Sequence, residues 1–299
     1  MDNNVALARL EEEAAYVLRE AAGQFERPVI LFSGGKDSVT LAHLARRAFA
    51  PMPSPFALLH VDTGHNFSET LDFRDAFARD HGYRLVVRLV QDSIDAGTAT
   101  DEKGTRASRN AIQSITLMEA IRDMKIDCAV GGARRDEEKS RAKERFFSHR
   151  DSSGKWEPRR QRPEVWRHFN GSKAAGDHFR VFPLNNWTEY DVWSYICAHD
   201  VPVPSLYFSH EREVFERDGV LYSVSPYLQM EPGEVAVKER IRFRTVGDAT
   251  CTGAIRSTAS TLSEVLEEVR HLDVSERAGR ADDLRSEAAM EDRKCQGYF

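Results

Sequence analysis

The sequence predicts an α/β protein whose centre is a doubly wound, mostly parallel sheet of five strands. Short apolar runs without helical spacing recur along the chain, at residues 29–32, 56–61, 84–90, 127–131 and 179–182. Such runs are typical of strands that are buried on both faces of a sheet. Amphipathic segments lie between them, and this alternation of strand and helix favours a parallel sheet.

Each amphipathic segment places its apolar residues on one helical side, as expected of a helix that packs on a core. The predicted helices are residues 5–22, 36–48, 68–81, 107–124, 188–199 and 260–271. Residues 91–105 show no clear period and contain Gly97 and Gly104. We therefore expect a loop there, one that could close over a substrate.

The alternating pattern ends at residues 201–204, where two prolines interrupt the chain. We predict a domain boundary at this point, with an α/β domain at 1–204 and a C-terminal extension at 205–299. The extension is expected to be irregular and rich in α-helix.

Residues 146–178 are basic and aromatic, without a clear period. We expect a long excursion from the sheet, since long ordered loops are often lids or partner surfaces. RNA binding and a plain surface insertion remain open as alternatives.

Composition excludes several classes of protein. The 299 residues carry a formal net charge of −6, which argues mildly against a nucleic-acid binder. No apolar run approaches the length of a membrane span. The four cysteines are scattered and form no C-x-x-C pair, which suits a reducing cytoplasm without disulfides or a structural metal site.

The first apolar run leads into a glycine turn with the sequence Ser33-Gly34-Gly35-Lys36-Asp37-Ser38. Two glycines let the backbone approach an anion closely, and the helix that follows offers free N–H groups and a positive dipole end. Lys36 adds a mobile positive charge. The turn is therefore a candidate phosphate cradle, although its spacing is not that of the Walker loop. An ordinary strand–turn–helix corner is the alternative.

Polar residues also follow the second and fourth strands, at the sheet edge where ligands bind in parallel α/β proteins. Asp62 and Thr63 could orient a ribose or a metal-bound water, or simply shape a turn. Arg134 and Arg135 follow Gly131-Gly132, and their planar guanidinium groups suit phosphate or sulfate oxygens. A solvated charged helix face is the alternative for this second stretch.

Residues 33–38 resemble the SGGxDS loop of the PP-loop ATP pyrophosphatases, which have an adenine nucleotide alpha-hydrolase-like fold. Further stretches resemble the small-subunit family of bacterial heterodimeric sulfate adenylyltransferases, which is related to phosphosulfate reductases. They lie at residues 60–64, 131–137, 180–184, 186–189, 242–245, 252–254 and 296–299. The match runs nearly end to end, with its motifs in order.

The resemblance implies adenylyl transfer from ATP to sulfate, with Mg²⁺ carried mainly by the ATP phosphates and no protein metal site. It implies ATP binding by Ser33, Gly34, Gly35, Lys36, Asp37, Ser38, His60, Asp62 and Thr63. It implies catalytic roles for Lys36, Arg134 and Arg135, and sulfate or phosphate binding by Arg134, Arg135, Lys139 and Arg141.

The implied partner is a GTPase large subunit in a heterodimer or higher assembly, whose GTP hydrolysis drives the reaction. The implied setting is cytoplasmic sulfate assimilation, without nucleic acid or membrane. The resemblance also implies that the extension at 205–299 covers the site or contacts this partner.

Two other classes remain open. A phosphosulfate reductase shares the fold but needs a nucleophilic tail cysteine, and Cys295 is flanked by Lys294 and Gln296 rather than by the reductase context. A non-enzymatic nucleotide-binding regulatory subunit is the other candidate. A tRNA-modifying enzyme ranks lower because the chain is acidic and lacks paired cysteines.

Overall fold

A computed structural model describes residues 3–137 and 139–271. Its main sheet has six strands in the order β3-β2-β1-β4-β6-β5. The strands are β1 (Pro28–Leu31), β2 (Ala57–Asp62), β3 (Leu85–Leu89), β4 (Cys128–Val130), β5 (Phe147–Arg150) and β6 (His178–Val181). All neighbouring pairs are parallel except β5–β6, which is antiparallel. The five predicted strands are present, and β5 is an additional edge strand.

Helices cover both faces of this sheet. They are α1 (Asn3–Gln24), α2 (Lys36–Phe49), α3 (Ser68–Asp80), α4 (Val90–Asp95), α5 (Gln113–Asp123) and α6 (Glu189–His199). Successive strand residues point to opposite faces, so Leu58 joins the core under α1, α2 and α6, whereas Leu59 packs with α5. The prediction of a doubly wound α/β fold is confirmed.

Two helix boundaries differ from the sequence-based expectation. The short helix α4 begins at Val90, the last residue of the predicted third strand, and runs to Asp95 in the segment 91–105 that was expected to form a loop. Helix α5 begins at Gln113 rather than at residue 107. The side chain of Ser108 accepts a hydrogen bond from the backbone N–H of Asn110 (3.1 Å), and such local bonds favour turns over a helix.

Strand β5 was missed because two of its inward side chains are polar. Ser148 and Arg150 are both buried, and the Arg150 guanidinium lies 2.9 Å from the Glu144 carboxylate. A buried ion pair removes the apolar pattern by which a strand is predicted from sequence.

The C-terminal part requires a correction, because its described residues are not α-rich. Four antiparallel strands form a closed barrel in the order β10-β8-β7-β9. They are β7 (His210–Arg217), β8 (Val220–Ser223), β9 (Val237–Phe243) and β10 (Gly253–Arg256), followed by helix α7 (Leu262–Arg270). These strands were not predicted because β7 and β9 carry charged side chains on their exposed faces. One example is the Lys238–Glu211 pair, at 2.8 Å. The predicted helix at 260–271 is confirmed by α7.

The extension packs closely on the α/β part. One hydrophobic cluster contains Leu184 and Trp193 together with Leu206, Tyr207 and Phe243. The boundary at residue 204 stays a prediction. None of the helices described is both long enough and apolar enough to cross a membrane.

Candidate active site

The glycine turn between β1 and α2 is held by its own side chains. Gly34 has a φ of 79°, a left-handed conformation that favours glycine, and a Cβ there would lie 3.1 Å from the Thr70 side chain. The Ser33 hydroxyl accepts a hydrogen bond from the Gly35 N–H (3.2 Å), and the Ser38 hydroxyl donates to the Gly35 carbonyl (2.9 Å). The turn therefore presents the N-terminus of α2 in a fixed orientation.

Lys36 is the first residue of α2 and is buried, with 1% of its surface exposed. Its ammonium group lies 3.0 Å from the Asp37 carboxylate. Its backbone N–H donates to the hydroxyl of Tyr207, at 2.8 Å. A residue of the C-terminal extension thus contacts one of the helix N–H groups that could otherwise meet an anion.

Arg134 joins the second glycine-containing stretch to this turn. Its Nε lies 2.8 Å from the other Asp37 oxygen, and its side chain is buried. Gly132 makes the approach possible, since a Cβ there would lie 3.0 Å from the Asp37 backbone carbon. The structure therefore brings the turn and Arg134 together, although they are far apart in the sequence.

The Asp37 carboxyl accordingly lies between two cations. Burial would raise the pKa of Asp37, but the charges of Lys36 and Arg134 outweigh burial and lower this pKa below the usual value of 3.8. The carboxylate is ionised at neutral pH, and it holds the two cations beside the turn.

A cavity of about 240 Å³ opens beside these residues. Part of its wall is apolar and consists of Leu31, Leu59, Leu117 and Phe182. Another part is polar and includes Ser33, Gly35, Lys36, Asp37, Ser38 and Arg141. An apolar wall beside a charged wall suits a ligand that combines an aromatic ring with an anionic group.

The loop between β9 and β10 covers this cavity. It contributes Thr245, Val246, Gly247, Asp248, Cys251 and Thr252 to the lining. A backbone bridge joins Asn66 to Asp248, and the Ala249 N–H donates to the His65 carbonyl (2.9 Å). The C-terminal extension is therefore part of the cavity wall.

The predicted ATP-binding residues divide into two groups. Ser33, Gly35, Lys36, Asp37, Ser38 and His60 line the cavity, whereas Gly34, Asp62 and Thr63 are not among its lining residues. The Asp62 carboxylate accepts from the Gly64 N–H (2.8 Å), and the Thr63 hydroxyl accepts from the His65 N–H (3.1 Å). These contacts give Asp62 and Thr63 a role in shaping the turn after β2.

His60 is 2% exposed, and its Nδ1 lies 2.7 Å from the Phe32 carbonyl oxygen. Burial lowers the pKa of His60 to about 4. The ring is therefore neutral at physiological pH, and Nδ1 carries the hydrogen that it donates to Phe32.

The predicted sulfate-binding residues lie in different places. Arg141 lines the cavity, with its guanidinium 3.7 Å from Glu137 and 3.5 Å from Glu144. Arg135 instead donates to the Glu144 carbonyl (2.8 Å) and lies over the ring of Phe146. Lys139 begins the 3₁₀ helix Lys139–Lys143, which carries Arg141.

Two arginines of the resembling stretch at residues 242–245 form buried ion pairs in this fold. Arg242 pairs with Glu268 at 2.7 Å, and Arg244 pairs with Glu189 at 2.6 Å. Both arginines are buried, and neither is among the cavity-lining residues. Cys295 and the motif at 296–299 lie outside the described residues.

The site residues that sequence reasoning missed include Tyr207, Asp248, Asn110 and Gln113. None of them follows a strand of the main sheet, so the strand-end rule that found Arg134 did not apply. Of these four residues, only Asp248 could have been suspected from the sequence, because it lies between the stretches 242–245 and 252–254 that resemble the adenylyltransferase small-subunit family.

The parallel sheet, the glycine turn at the first strand end and the charged cavity define an α/β protein of the PP-loop type. The family model described as "Phosphoadenosine phosphosulfate reductase domain" matches residues 27–254. A Mycolicibacterium gilvum protein named "Sulfate adenylyltransferase subunit 2" is 56% identical over 294 residues, which cover 98% of this chain and 94% of that protein. A Mycobacterium tuberculosis protein of the same name is also 56% identical, with the same coverage. This chain therefore belongs to the sulfate adenylyltransferase subunit 2 family, within the phosphoadenosine phosphosulfate reductase-domain proteins.

Solved structures resemble this chain more distantly. Candida glabrata FMN adenylyltransferase is 16% identical with a TM-score of 0.48, covering 92% of this chain and 88% of that one. A phosphoadenylyl-sulfate reductase from Candida auris is 16% identical with a TM-score of 0.45, covering 67% of this chain and 88% of that one.

Proposed function

We propose that this chain is the ATP-binding subunit of a sulfate adenylyltransferase. It would transfer the adenylyl group of ATP to sulfate, giving adenosine 5′-phosphosulfate and pyrophosphate. The observation that carries the proposal is the convergence of Lys36, Asp37 and Arg134 at a glycine turn beside the cavity. The names of the relatives at 56% identity support the same activity.

The reaction makes one bond and breaks one. A sulfate oxygen bonds to the α-phosphorus while the bond from this phosphorus to the bridging oxygen breaks, and pyrophosphate leaves with the electron pair. No net proton transfer is required. Sulfate is a weak nucleophile approaching a centre surrounded by negative charge, so catalysis depends on positioning and on neutralising charge.

The turn at residues 33–38 would hold the β- and γ-phosphates. Its backbone N–H groups, the Ser33 and Ser38 hydroxyls and the positive end of α2 all favour an anion. Lys36 would offset the charge that grows on the departing pyrophosphate. The carboxylate of Asp37 fixes the position of Lys36 through their 3.0 Å contact.

Sulfate would be held by the arginine-containing segment at residues 134–144. Arg141 is the arginine of this segment that lines the cavity, and Arg134 reaches the turn through Asp37. Arg135 and Lys139 stay candidates for the same anion. Arg135 in this structure contacts Glu144 and Phe146 instead.

The apolar wall formed by Leu31, Leu59, Leu117 and Phe182 would accept the adenine ring. Ionised Asp37 and the Asp248 carboxylate also lie in the lining. Mg²⁺ would arrive as part of the ATP complex, since it keeps several of its waters and binds phosphate oxygens readily.

A GTP-hydrolysing large subunit would complete the enzyme. The mixed anhydride in the product makes the forward reaction unfavourable, so synthesis needs a second source of free energy. The word "subunit" in the relatives' names supports an assembly of at least two different chains. Sulfate activation of this kind would be the first step of sulfate assimilation toward cysteine, in the cytoplasm.

Reconstitution tests the proposal. The purified chain is mixed with ATP, Mg²⁺ and sulfate, with and without the GTPase subunit and GTP, and adenosine 5′-phosphosulfate and pyrophosphate are followed. We expect sustained synthesis only in the complete mixture. Robust GTP-stimulated synthesis by the chain alone would disprove the two-subunit arrangement. ATP binding without pyrophosphate release in any mixture would favour a regulatory subunit.

The description of the matching family model keeps a phosphosulfate reductase as the second candidate. Such an enzyme needs its tail cysteine, whereas adenylyl transfer does not. Replacement of Cys295 by Ala should therefore leave pyrophosphate formation unchanged. A thioredoxin-dependent reduction that is lost in this variant would support the reductase instead.

A further inference from the structure

The excursion at residues 146–178 carries a large apolar side chain in an unusual setting. Trp166 is 88% exposed, whereas the neighbouring Trp156 is 3% exposed. Trp166 and Arg167 also have left-handed φ angles of 51° and 61°. Non-glycine residues seldom adopt this conformation, and two in succession need strong support from the surrounding structure.

That support comes from contacts on both sides of the turn. The Glu164 carboxylate accepts hydrogen bonds from the backbone N–H groups of Phe146 (3.3 Å) and Phe147 (2.8 Å). The Tyr16 hydroxyl of α1 donates to the Arg167 carbonyl (3.2 Å). The Phe169 ring stacks on Phe147, with centroids 4.7 Å apart. The fold therefore holds the Trp166 ring in solvent rather than leaving it there by chance.

The charge of the excursion differs from that of the whole chain, whose formal net charge is −6. Among the described side chains of residues 152–176, the exposed acidic residue is Glu157 and the exposed Lys and Arg residues are Lys155, Arg159, Arg162, Arg167 and Lys173. Exposed tryptophan and arginine in one segment are the residue types enriched at the energetic centres of protein interfaces. The complementary surface is an apolar pocket with a carboxylate rim.

A single-stranded nucleic acid fits this surface less well. Proteins that bind such strands stack successive bases on several aromatic rings. Among the described side chains of the excursion, the large aromatic residues other than Trp166 are buried or packed against neighbours, as are Trp156 and Phe169. One ring can anchor a protein partner but cannot form a stacking platform.

The excursion also contacts the segment that carries Arg141. The Gln161 side chain donates to the Lys143 carbonyl (2.8 Å) and accepts from the Arg145 N–H (3.3 Å). These two bonds attach the excursion to the end of the 3₁₀ helix Lys139–Lys143, whose Arg141 lines the cavity. A partner bound at Trp166 would therefore lie on an element continuous with the active site.

We propose that Trp166, together with the exposed Arg162 and Arg167 of the same segment, is the anchor through which the GTPase subunit docks, by inserting into an apolar, carboxylate-rimmed pocket of that subunit. This inference rests on the two-subunit function proposed above. It assigns the excursion to the partner interface rather than to a lid or an RNA surface.

Affinity measurements between the full-length chain and the purified GTPase subunit test the inference. The main variant is Trp166→Gly, because glycine adopts a φ near 51° without strain and the ring is exposed. We expect the dissociation constant to rise by about 30-fold or more, as for an interface hot spot, while the melting temperature does not fall. Trp166→Phe should retain part of the affinity.

Met52→Ala is the matched control, since Met52 is 67% exposed and lies outside the excursion. It should leave the affinity unchanged. Unchanged affinity in Trp166→Gly would overturn the inference. The inference would also be overturned if Trp166→Gly lost self-association or RNA binding but kept its affinity for the GTPase subunit.

Failure of the inference can be told from failure of the proposed function. If the wild-type chain makes adenosine 5′-phosphosulfate with the GTPase subunit and Trp166→Gly binds it equally well, only the docking assignment is wrong. If the wild-type chain neither binds that subunit nor depends on it, the two-subunit function itself is wrong.

Discussion

Three charged residues at the glycine turn act as a unit. Asp37 contacts the Lys36 ammonium at 3.0 Å and the Arg134 guanidinium at 2.8 Å. The Arg134 side chain is 0% exposed, and the Asp136 carboxylate lies 3.6 Å from its guanidinium. Loss of the Asp37 charge would remove a counter-charge that lies 2.8 Å from this buried guanidinium, which is costly in a protein interior.

We therefore expect Asp37→Asn to lower the free energy of unfolding by about 3 kcal/mol at pH 7. The folded pKa of Asp37 lies below 3.8, so the carboxylate contributes stability above that pH. As the pH falls below 3.8 and through the folded pKa, the difference between wild type and variant should shrink.

Urea unfolding at several pH values measures this difference. Asp136→Asn is the control, because its carboxylate is half exposed and more distant from Arg134. A constant difference between wild type and Asp37→Asn down to pH 2 would contradict the assigned ion pairs.

Lys36 should matter for chemistry more than for binding of substrate. Its charge would act mainly on the departing pyrophosphate, where negative charge grows in the transition state. We expect Lys36→Ala to lower kcat for pyrophosphate release in the reconstituted enzyme by about 100-fold.

Lys103→Ala removes an exposed lysine and should leave kcat unchanged. Steady-state kinetics with the GTPase subunit present would measure kcat and the KM for ATP of each variant. A Lys36→Ala enzyme in which only the KM for ATP rises would assign Lys36 to ground-state binding.

At the scale of elements, the close approach of the two glycine-containing stretches limits what the sequence can tolerate. A Cβ at residue 132 would lie 3.0 Å from the backbone carbon and the Cβ of Asp37, neither of which can move without shifting α2. Backbone contact of this kind is a property of paired elements, and neither stretch alone reveals it.

We expect Gly132→Ala to destabilise the protein by about 1–3 kcal/mol and to weaken ATP binding, because overpacking displaces the turn from Arg134. Thermal unfolding and ATP titration by calorimetry measure both effects. Gly23→Ala is the control, since a Cβ there meets nothing within 4 Å. Equal behaviour of the two variants would contradict the tight contact.

Predictability also differed among the elements for physical reasons. Strands β1, β2, β3, β4 and β6 were recognised because each lies in a short, mostly apolar run, even though β3 contains Arg88 and β6 contains Arg180. Strand β5 and the barrel strands were not, since Arg150 is buried with Glu144, and β7 and β9 carry charged residues on exposed faces. Hydrophobic periodicity indicates the burial of apolar side chains. It therefore does not predict a strand whose buried side chains form ion pairs.

At the scale of the whole molecule, the extension contributes directly to the phosphate turn. The Tyr207 hydroxyl accepts a hydrogen bond from the Lys36 N–H at 2.8 Å, and the Tyr207 ring packs edge-on against Trp193. Tyr207→Phe would keep the ring and remove the hydroxyl that accepts from this buried N–H.

We expect Tyr207→Phe to lower the free energy of unfolding by about 1–2 kcal/mol, the cost of leaving a buried donor unsatisfied. Denaturant unfolding measures this loss. Tyr16→Phe is the control, because the Tyr16 hydroxyl bonds to the Arg167 carbonyl at an exposed site, and it should change stability by less than about 0.5 kcal/mol. An equal change in both variants would contradict a buried link between extension and turn.

The sequence by itself determined the strand–turn–helix unit at residues 28–49, because an apolar run, Gly34 with its left-handed φ and the helix formers after Lys36 act locally. Only the tertiary structure decided which groups meet there. Arg134 reaches Asp37 across 97 residues because β4 pairs with β1, and Tyr207 reaches Lys36 across 171 residues because the extension packs over the sheet edge. Local steric preferences depend on neighbouring residues, whereas these contacts depend on strand order and on packing between distant elements.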